Sequence, residues 1–333
     1  MANGGGRAAE PRKLAAIISG EPKSLTLPDL EAIDNFLRPF GQSLADLPLL
    51  DADTITRALV ELEEVVFFMA SRHVNDREFV SVWDIRVYSA IAERIRQRWP
   101  KTRVILREEQ GCQLVEKAHP QPDWSSLIAD AEASYCCLGA PLAFGLAEHM
   151  LALMFNVPPF KPLPKAGHRL PFHFIWYPPP GEALENASVP SHFVLSADDL
   201  TDLSRTPAEK ELAEAVRQRR AQAFLLEGQI YPVRLDQAQW KDYGVIVAQR
   251  RKKGQLWVVV AGLSGPSTLA AAKLLDAIRL DLPESGVGDV SPPIYAVVES
   301  AVRTSPRKAS GERRELLDQK LLVGPKVWES PRA

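Results

Sequence analysis

The chain has 333 residues, of which 46% are hydrophobic, 25% charged and 8% aromatic, with a formal net charge of -2. These proportions belong to a globular chain and exclude wholesale disorder, collagen-like repeats and a coiled-coil rod. The near-neutral balance supplies no overall pull toward nucleic acid or an anionic membrane.

The three cysteines, Cys112, Cys136 and Cys137, cannot build a disulfide framework. They suit a reducing cytoplasm, and a cytoplasmic location is expected. The uncharged run Ser134 to Ala147 is shorter than the roughly 20 residues a membrane helix needs and contains Gly139 and Pro141. No signal peptide is expected either, because the apolar stretch Leu14 to Ile18 gives way to Glu21 and Lys23.

Residues 1–23 carry glycine, alanine and charge with little to bury, and are expected to be poorly ordered. Residues 24–62 read as a small helical cap. Leu30, Ile33, Phe36 and Leu37 recur at helical spacing behind Thr26 and Pro28. Ile55, Leu59 and Leu62 mark a second helix, opened by Asp51 or Asp53. Two short helices with a turn between them fit a helix-turn-helix. However, residues 1–40 hold five basic and five acidic side chains, and a DNA reader needs a basic footprint. A cap packed on the main domain is the favoured reading and a nucleic-acid partner the secondary one.

Residues 63–155 form a first α/β lobe. Val65 to Ala70 is a solid apolar run of strand length, Val82 to Trp99 is a helix buried along Val82, Ile85, Tyr88, Ile91 and Ile95, and Thr102 to Leu106 is a second strand. A helix near Trp124 precedes the strand Ser134 to Leu138, and Gly139-Ala140-Pro141 turns into the apolar helix Leu142 to Phe155. Residues 156–205 break the rhythm with prolines and aromatics, among them Phe160, Phe172, Phe174, Trp176 and Tyr177, and read as an insertion or a junction.

A second lobe spans 206–302. It has a helix from Pro207 to about Arg220, strands at Phe224 to Leu235 and Tyr243 to Ala248, and a basic hairpin turn at Arg250 to Gly254 leading into Gln255 to Ala261. The helix Thr268 to Ile278 follows, then a last strand, Ile294 to Val302. The tail, 303–333, holds eight basic and four acidic residues and reads as solvated surface or disorder. Short all-apolar strands alternating with helices predict an α/β fold: three-layer and Rossmann-like, with a largely parallel sheet.

Two segments share a plan. Tyr135 to Ala143 and Val258 to Ser267 each run from an apolar strand through a glycine- and proline-bearing turn into a helix of small residues. In an open parallel sheet such turns lie at the carboxyl ends of the strands, where ligands bind. Gly139, Gly262 and Gly265 would allow close backbone approach, and Ser264, Ser267 and Thr268 add hydroxyls near helix amides suited to an anion; the alternative is that the glycines serve only a tight strand-to-helix turn. Ser71 and Arg72 are expected to end the first strand on the same edge, where the guanidinium would take a phosphate or carboxylate or else be a surface arginine in a loop.

Glu148 and His149 sit inside the otherwise apolar helix after Gly139, a costly place for a buried carboxylate, so the favoured reading puts Glu148 on the helix's one exposed face. Over Gly139 to Ala152 alone, this strand, small-residue turn and helical glutamate resembles the nucleoside deoxyribosyltransferase and TIR-like architectures; the flanking motif is not matched. The resemblance implies that Glu148 acts as nucleophile or base at an N-glycosidic bond.

The six histidines and three cysteines show no metal-ligand spacing, so neither a metal nor a resident cofactor is expected. The leading functional expectation is a ligand-sensing protein that binds a nucleotide-type or other anionic small molecule at Ser71, Arg72, Gly139, Gly262, Ser264, Gly265, Ser267 and Thr268. An N-glycosidic enzyme and a helix-turn-helix transcriptional regulator are the alternatives. Self-association into a homo-oligomer is compatible with all three.

Overall fold

The computed structural model describes residues 54–74, 77–110, 123–129, 132–141, 144–160, 170–175, 191–218, 220–235, 237–280, 290–307 and 311–329. The N-terminal segment 1–23 and the first expected cap helix, near 24–37, lie outside them, as does Cys112.

The chain enters through a short helix, α1 (Ile55–Leu59), capped by the Thr54 hydroxyl on the Arg57 amide. β1 (Glu64–Val74) forms a hairpin with β2 (Arg77–Val80), and α2 (Val82–Arg98) returns the chain to β3 (Arg103–Gln110). A single-turn helix, α3 (Trp124–Leu127), precedes β4 (Ser134–Leu138) and α4 (Gly145–Met154). β5 (Phe172–Ile175) and β6 (Val194–Leu195) follow, then α5 (Ala197–Leu203) and α6 (Pro207–Arg217), both opened by reciprocal capping boxes. The remaining elements are β7 (Ala221–Leu226), β8 (Gln229–Arg234), β9 (Gln239–Arg250), β10 (Leu256–Gly262), α7 (Gly265–Lys273), β11 (Ile294–Arg307) and β12 (Gly311–Val327).

The strands make two mixed sheets. In the large one, β12, β11, β9, β10, β4 and β1 are neighbours in that order, and both β3 and β2 pair with β1; the small one is β6-β5-β7-β8. Ser71 of β1 lies opposite Gln110 of β3 and also opposite Val80 of β2, so these strands flank β1 on opposite sides. β3 thus forms the outer edge, and β2 pairs with the end of β1 beyond the reach of β4. Three pairings are parallel (β1 with β3, β1 with β4, β10 with β4) and four are antiparallel.

This corrects the expected largely parallel, Rossmann-like sheet. β9 and β10 are joined by the tight connection Arg251 to Gln255, and β11 and β12 by another hairpin, and short hairpins can join only antiparallel strands. β9 still reads as a continuous apolar run because it is covered on both faces: Val245 and Val247 face one core cluster, Ile246 and Ala248 the other.

The expected three layers are also too few. Helices α1, α2 and α7 cover one face of the large sheet over Phe67, Met69, Cys136, Leu138, Val258 and Val260. Within α2, Val87, Ile91 and Ile95 are buried, whereas Val82 and Ile85, expected on the same face, are exposed. On the other face of the sheet, α3, α4 and the small sheet share a core with Phe68, Tyr135, Cys137 and Val259. Ring contacts such as Phe224–Tyr243 at 5.8 Å tie the small sheet down. Helices α5 and α6 then cover the far face of the small sheet around Leu200, Leu212, Val216 and Ala223. The segment read as a proline-rich insertion thus contributes two strands, β5 and β6, to the small sheet. The tail read as solvated surface is largely β12, paired along β11.

Glycine decides how closely α7 lies on the sheet. Gly244 and Gly262 pair across β9 and β10, and the first turn of α7 rests on them. A Cβ on Gly262 would overlap the Ser267 hydroxyl and the Thr268 amide nitrogen. Gly262→Ala is therefore expected to cost about 3 kcal/mol of stability, seen as a lower urea midpoint at unchanged slope. An unshifted midpoint would show that α7 can retreat freely from the strands.

Candidate functional site

The parallel block β3-β1-β4-β10 sets the geometry. Register pairs Met69 of β1 with Leu138 of β4, and Leu138 with Val260 of β10. Ser71, Gly139 and Gly262 each lie one or two residues beyond those partners, so the three lie along one rim; Ser71 and Arg72, expected to end the first strand, are instead inside β1, which runs on to Val74 and turns back as β2. The Gly139 amide donates to the Val260 carbonyl at 3.0 Å, which ties two of the exits together. Ser71 is buried beneath the rim. Arg72 follows it in β1, with its backbone opposite Phe79 of β2.

The chain leaves β1 and β4 over opposite faces. From β1 it passes through the short hairpin strand β2 to α2, on one face, and from β4 to α4, on the other. Connections that depart from two adjacent parallel strands in this way open a crevice between their carboxyl ends. In this chain that position is between Ser71 and Gly139, and β2 pairs with β1 there, just beyond the end of β4. Gly139 has φ +132°, a conformation that side-chain-bearing residues rarely adopt, and among the described residues a Cβ there would meet the Phe144 side chain at ordinary contact distance. Asp84, half-buried in the first turn of α2, lies close enough to Cys137 to add to the upward push that burial gives this thiol.

The neighbouring turn at the start of α7 is differently built. The Ser264 amide donates to the Ser267 hydroxyl at 3.1 Å, and the Ser267 and Thr268 hydroxyls donate back to the Ser264 carbonyl at 2.9 and 3.0 Å. The Ser264 hydroxyl donates to the Asp242 carboxylate. Pro266 has no amide hydrogen, and Gly265 is covered by Trp83, whose side-chain atoms a Cβ would overlap. Gly262, Gly265, Ser267 and Thr268 therefore lie at the rim, but their donors and open volume are taken up in holding the turn.

Asp242 gave no signal in the sequence reading. It lies in β9, fully buried, and accepts from the Tyr243 amide at 2.8 Å as well as from Ser264. Burial pushes its carboxyl up to about 6, against the opposing effects of these hydrogen bonds, one from Ser267, and the Arg314 charge. The signal available was a lone acid beside an apolar strand, ahead of a serine-rich turn.

Glu148 lies elsewhere, in the first turn of α4, and is 1% exposed. Its carboxylate accepts from the Ser191 hydroxyl at 2.5 Å, from the His192 amide at 3.2 Å and from the Phe160 backbone. Burial outweighs these three donors and pushes the carboxyl up to about 7. Ser191 also accepts from the Phe193 and Val194 amides, so the cluster fastens the entry to β6 onto α4. His149 stacks near Phe160 and meets the Ser125 hydroxyl at 3.3 Å; burial pushes its pKa down. Cys136 and Cys137 are buried strand residues whose thiols burial holds in the protonated form.

Among the described residues no group of three His, Cys, Asp or Glu side chains is placed to hold a metal, and no helix is long and apolar enough to cross a membrane. No protein-family model, curated protein sequence or solved structure matches the chain.

Proposed function

We propose that this protein binds an anionic, nucleotide-type small molecule in the crevice between the exits of β1 and β4. The observation that carries the reading is the departure of the chain from these two parallel strands over opposite faces, the place where open α/β sheets accept ligands. Gly139 lets the backbone approach the ligand, Ser71 lies beneath the opposite lip, and Arg72 supplies the positive charge. A carboxylate at the same rim, Asp84, suits a ligand that carries hydroxyls as well as an anionic group, as a nucleotide does. The turn before α7 borders the crevice and shapes it, while its own hydroxyls stay internal.

Isothermal titration with inorganic phosphate and with nucleoside mono-, di- and triphosphates tests this. At least one nucleotide is expected to bind, with Arg72→Ala weakening it roughly tenfold to a hundredfold. Ser264→Ala should leave the affinity unchanged. Absence of heat with every member of the panel would end the proposal.

One observation favours a second reading. A carboxyl raised to about 7, as at Glu148, is poised for general acid–base chemistry, and an N-glycosidic enzyme would use it so. Against this, the carboxylate is 1% exposed and already accepts from Ser191, His192 and Phe160. Incubation with NAD and with nucleosides decides: if they stay intact over hours, the reading is removed.

A further inference from the structure

We infer that two copies of this chain associate through β3, joining their large sheets edge to edge into one continuous sheet. The inference starts from how the sheet edges differ. At the far edge of the large sheet, β12 carries three register irregularities against β11 and contains Pro325, features that discourage pairing with another strand. In the small sheet, β8 contains Pro232 and β6 is two residues long. β2 has only four residues. β3 is different: eight residues in unbroken register with β1, from Arg103 opposite Glu64 to Gln110 opposite Ser71, with neither proline nor glycine. Among the described residues, no strand pairs with its outer side. Val104, Ile105 and Leu106 on it are only partly buried.

Symmetry and charge select the partner and the register. A symmetric pair of antiparallel edge strands needs a two-fold axis perpendicular to the sheet. That axis keeps every side chain on its own face, and directly opposed residues share a face, so the axis must pass through a residue and not between two. Centring on Val104 sets Lys101 against Arg107, and centring on Ile105 sets Arg103 against Arg107. Arg107 or Glu108 on the axis would oppose its own copy. Centring on Leu106 leaves no like-charged pair, sets Arg103 opposite Glu109 twice over, and puts the apolar leucine on the axis. β3 is thus complementary to itself in this one central register. Edge pairing of this kind draws its affinity from backbone hydrogen bonds and its register from the side chains.

Light scattering on the full-length protein tests the inference. The wild-type chain is expected at twice the 36.9 kDa of one chain. Arg103→Glu and Glu109→Arg each convert both opposed pairs into like charges, and each variant alone should dissociate at least roughly tenfold more readily. Arg103 also pairs with Glu64 of its own chain at 3.1 Å, so Glu109→Arg is the cleaner of the two. Mixing the two variants restores opposite charges at both positions, so the mixture should return to the dimeric mass. Circular dichroism and melting temperature establish that each variant is folded. A monomeric wild-type chain at the highest workable concentration overturns the inference without any variant. So do single variants as dimeric as wild type, or a mixture that stays monomeric.

Discussion

Between pH 4.5 and about 7 the protein is expected to lose about 3 kcal/mol of stability through Glu148 alone. The sign follows from the direction of the shift. The folded chain keeps the Glu148 proton up to about pH 7, whereas the unfolded chain releases it near 4.5. Inside that window the folded state binds more protons, so the free energy of unfolding falls as pH rises. The contribution is fully present below 4.5 and gone above 7. Glu209 and Glu214, held low by their hydrogen bonds near the ends of α6, work in the opposite direction but are exposed. Urea midpoints measured from about pH 4.5 to 8 read the effect. Glu148→Gln should flatten this part of the profile, because the amide does not titrate. Glu148→Ala should cost about 2–4 kcal/mol even near pH 5, since it leaves the Ser191 hydroxyl and the His192 and Phe160 amides without their acceptor. A wild-type profile no steeper than that of Glu148→Gln would mean that water reaches the carboxylate and that burial does not govern it.

Local features of the chain were legible where one physical cause acted alone. The strand Ser134 to Leu138 is read residue for residue, because five buried residues bounded by a glycine turn leave little choice. The helix beginning at Val82 and ending before Pro100 is read almost as well, from its spacing and its stop. Strand direction was not legible. β9 and β1 look alike in sequence because both are covered on two faces, yet one pairs only antiparallel and the other mostly parallel. Burial reports what lies above and below a strand; direction depends on the length of the connection.

The run 224–235 reads as one strand in sequence, but Glu227 and Gly228 both have positive φ and fold it into a two-residue hairpin. Glutamate is an unusual first residue for such a turn, which hid it. β12 escaped notice because much of an edge strand is exposed, so its charges read as solvated tail. At the rim, Gly139 and Gly262 lie at strand ends as expected, whereas Ser71 lies inside β1, which the polar residues after Ala70 concealed; whether a hydroxyl faces a ligand or its own turn depends on partners far away in sequence. Asp242 is that partner for Ser264, and Trp83 is the lid on Gly265.

Asp242→Ala is expected to lower stability by about 3 kcal/mol and to loosen the first turn of α7 before anything else. The carboxylate bridges β9 to the α7 turn through the Tyr243 amide and the Ser264 hydroxyl, all within a region closed to water. Without it, the Ser264 hydroxyl and the Tyr243 amide lose a buried acceptor. Amide exchange at Ser267 and Thr268 should therefore accelerate more than at β4 or β10, a local opening beneath the global one. Asp242→Asn behaves differently. Its carbonyl can still accept from Tyr243, and its amide can donate to a Ser264 hydroxyl turned the other way, so about 1 kcal/mol or less should be lost. Asn also removes a titration. Asp242 is raised from 3.8 to about 6, so its contribution, like that of Glu148, is lost as pH rises through that window. Two buried carboxyls acting in the same direction are expected to make this chain more stable near pH 5 than near pH 8, against the opposite effect of His149, whose pKa burial lowers, and combining Glu148→Gln with Asp242→Asn should erase most of the carboxyl contribution. Were the Ala and Asn variants to exchange equally at Ser267 and Thr268, the turn would be held by packing of Trp83 and the two glycines, with the carboxylate a bystander.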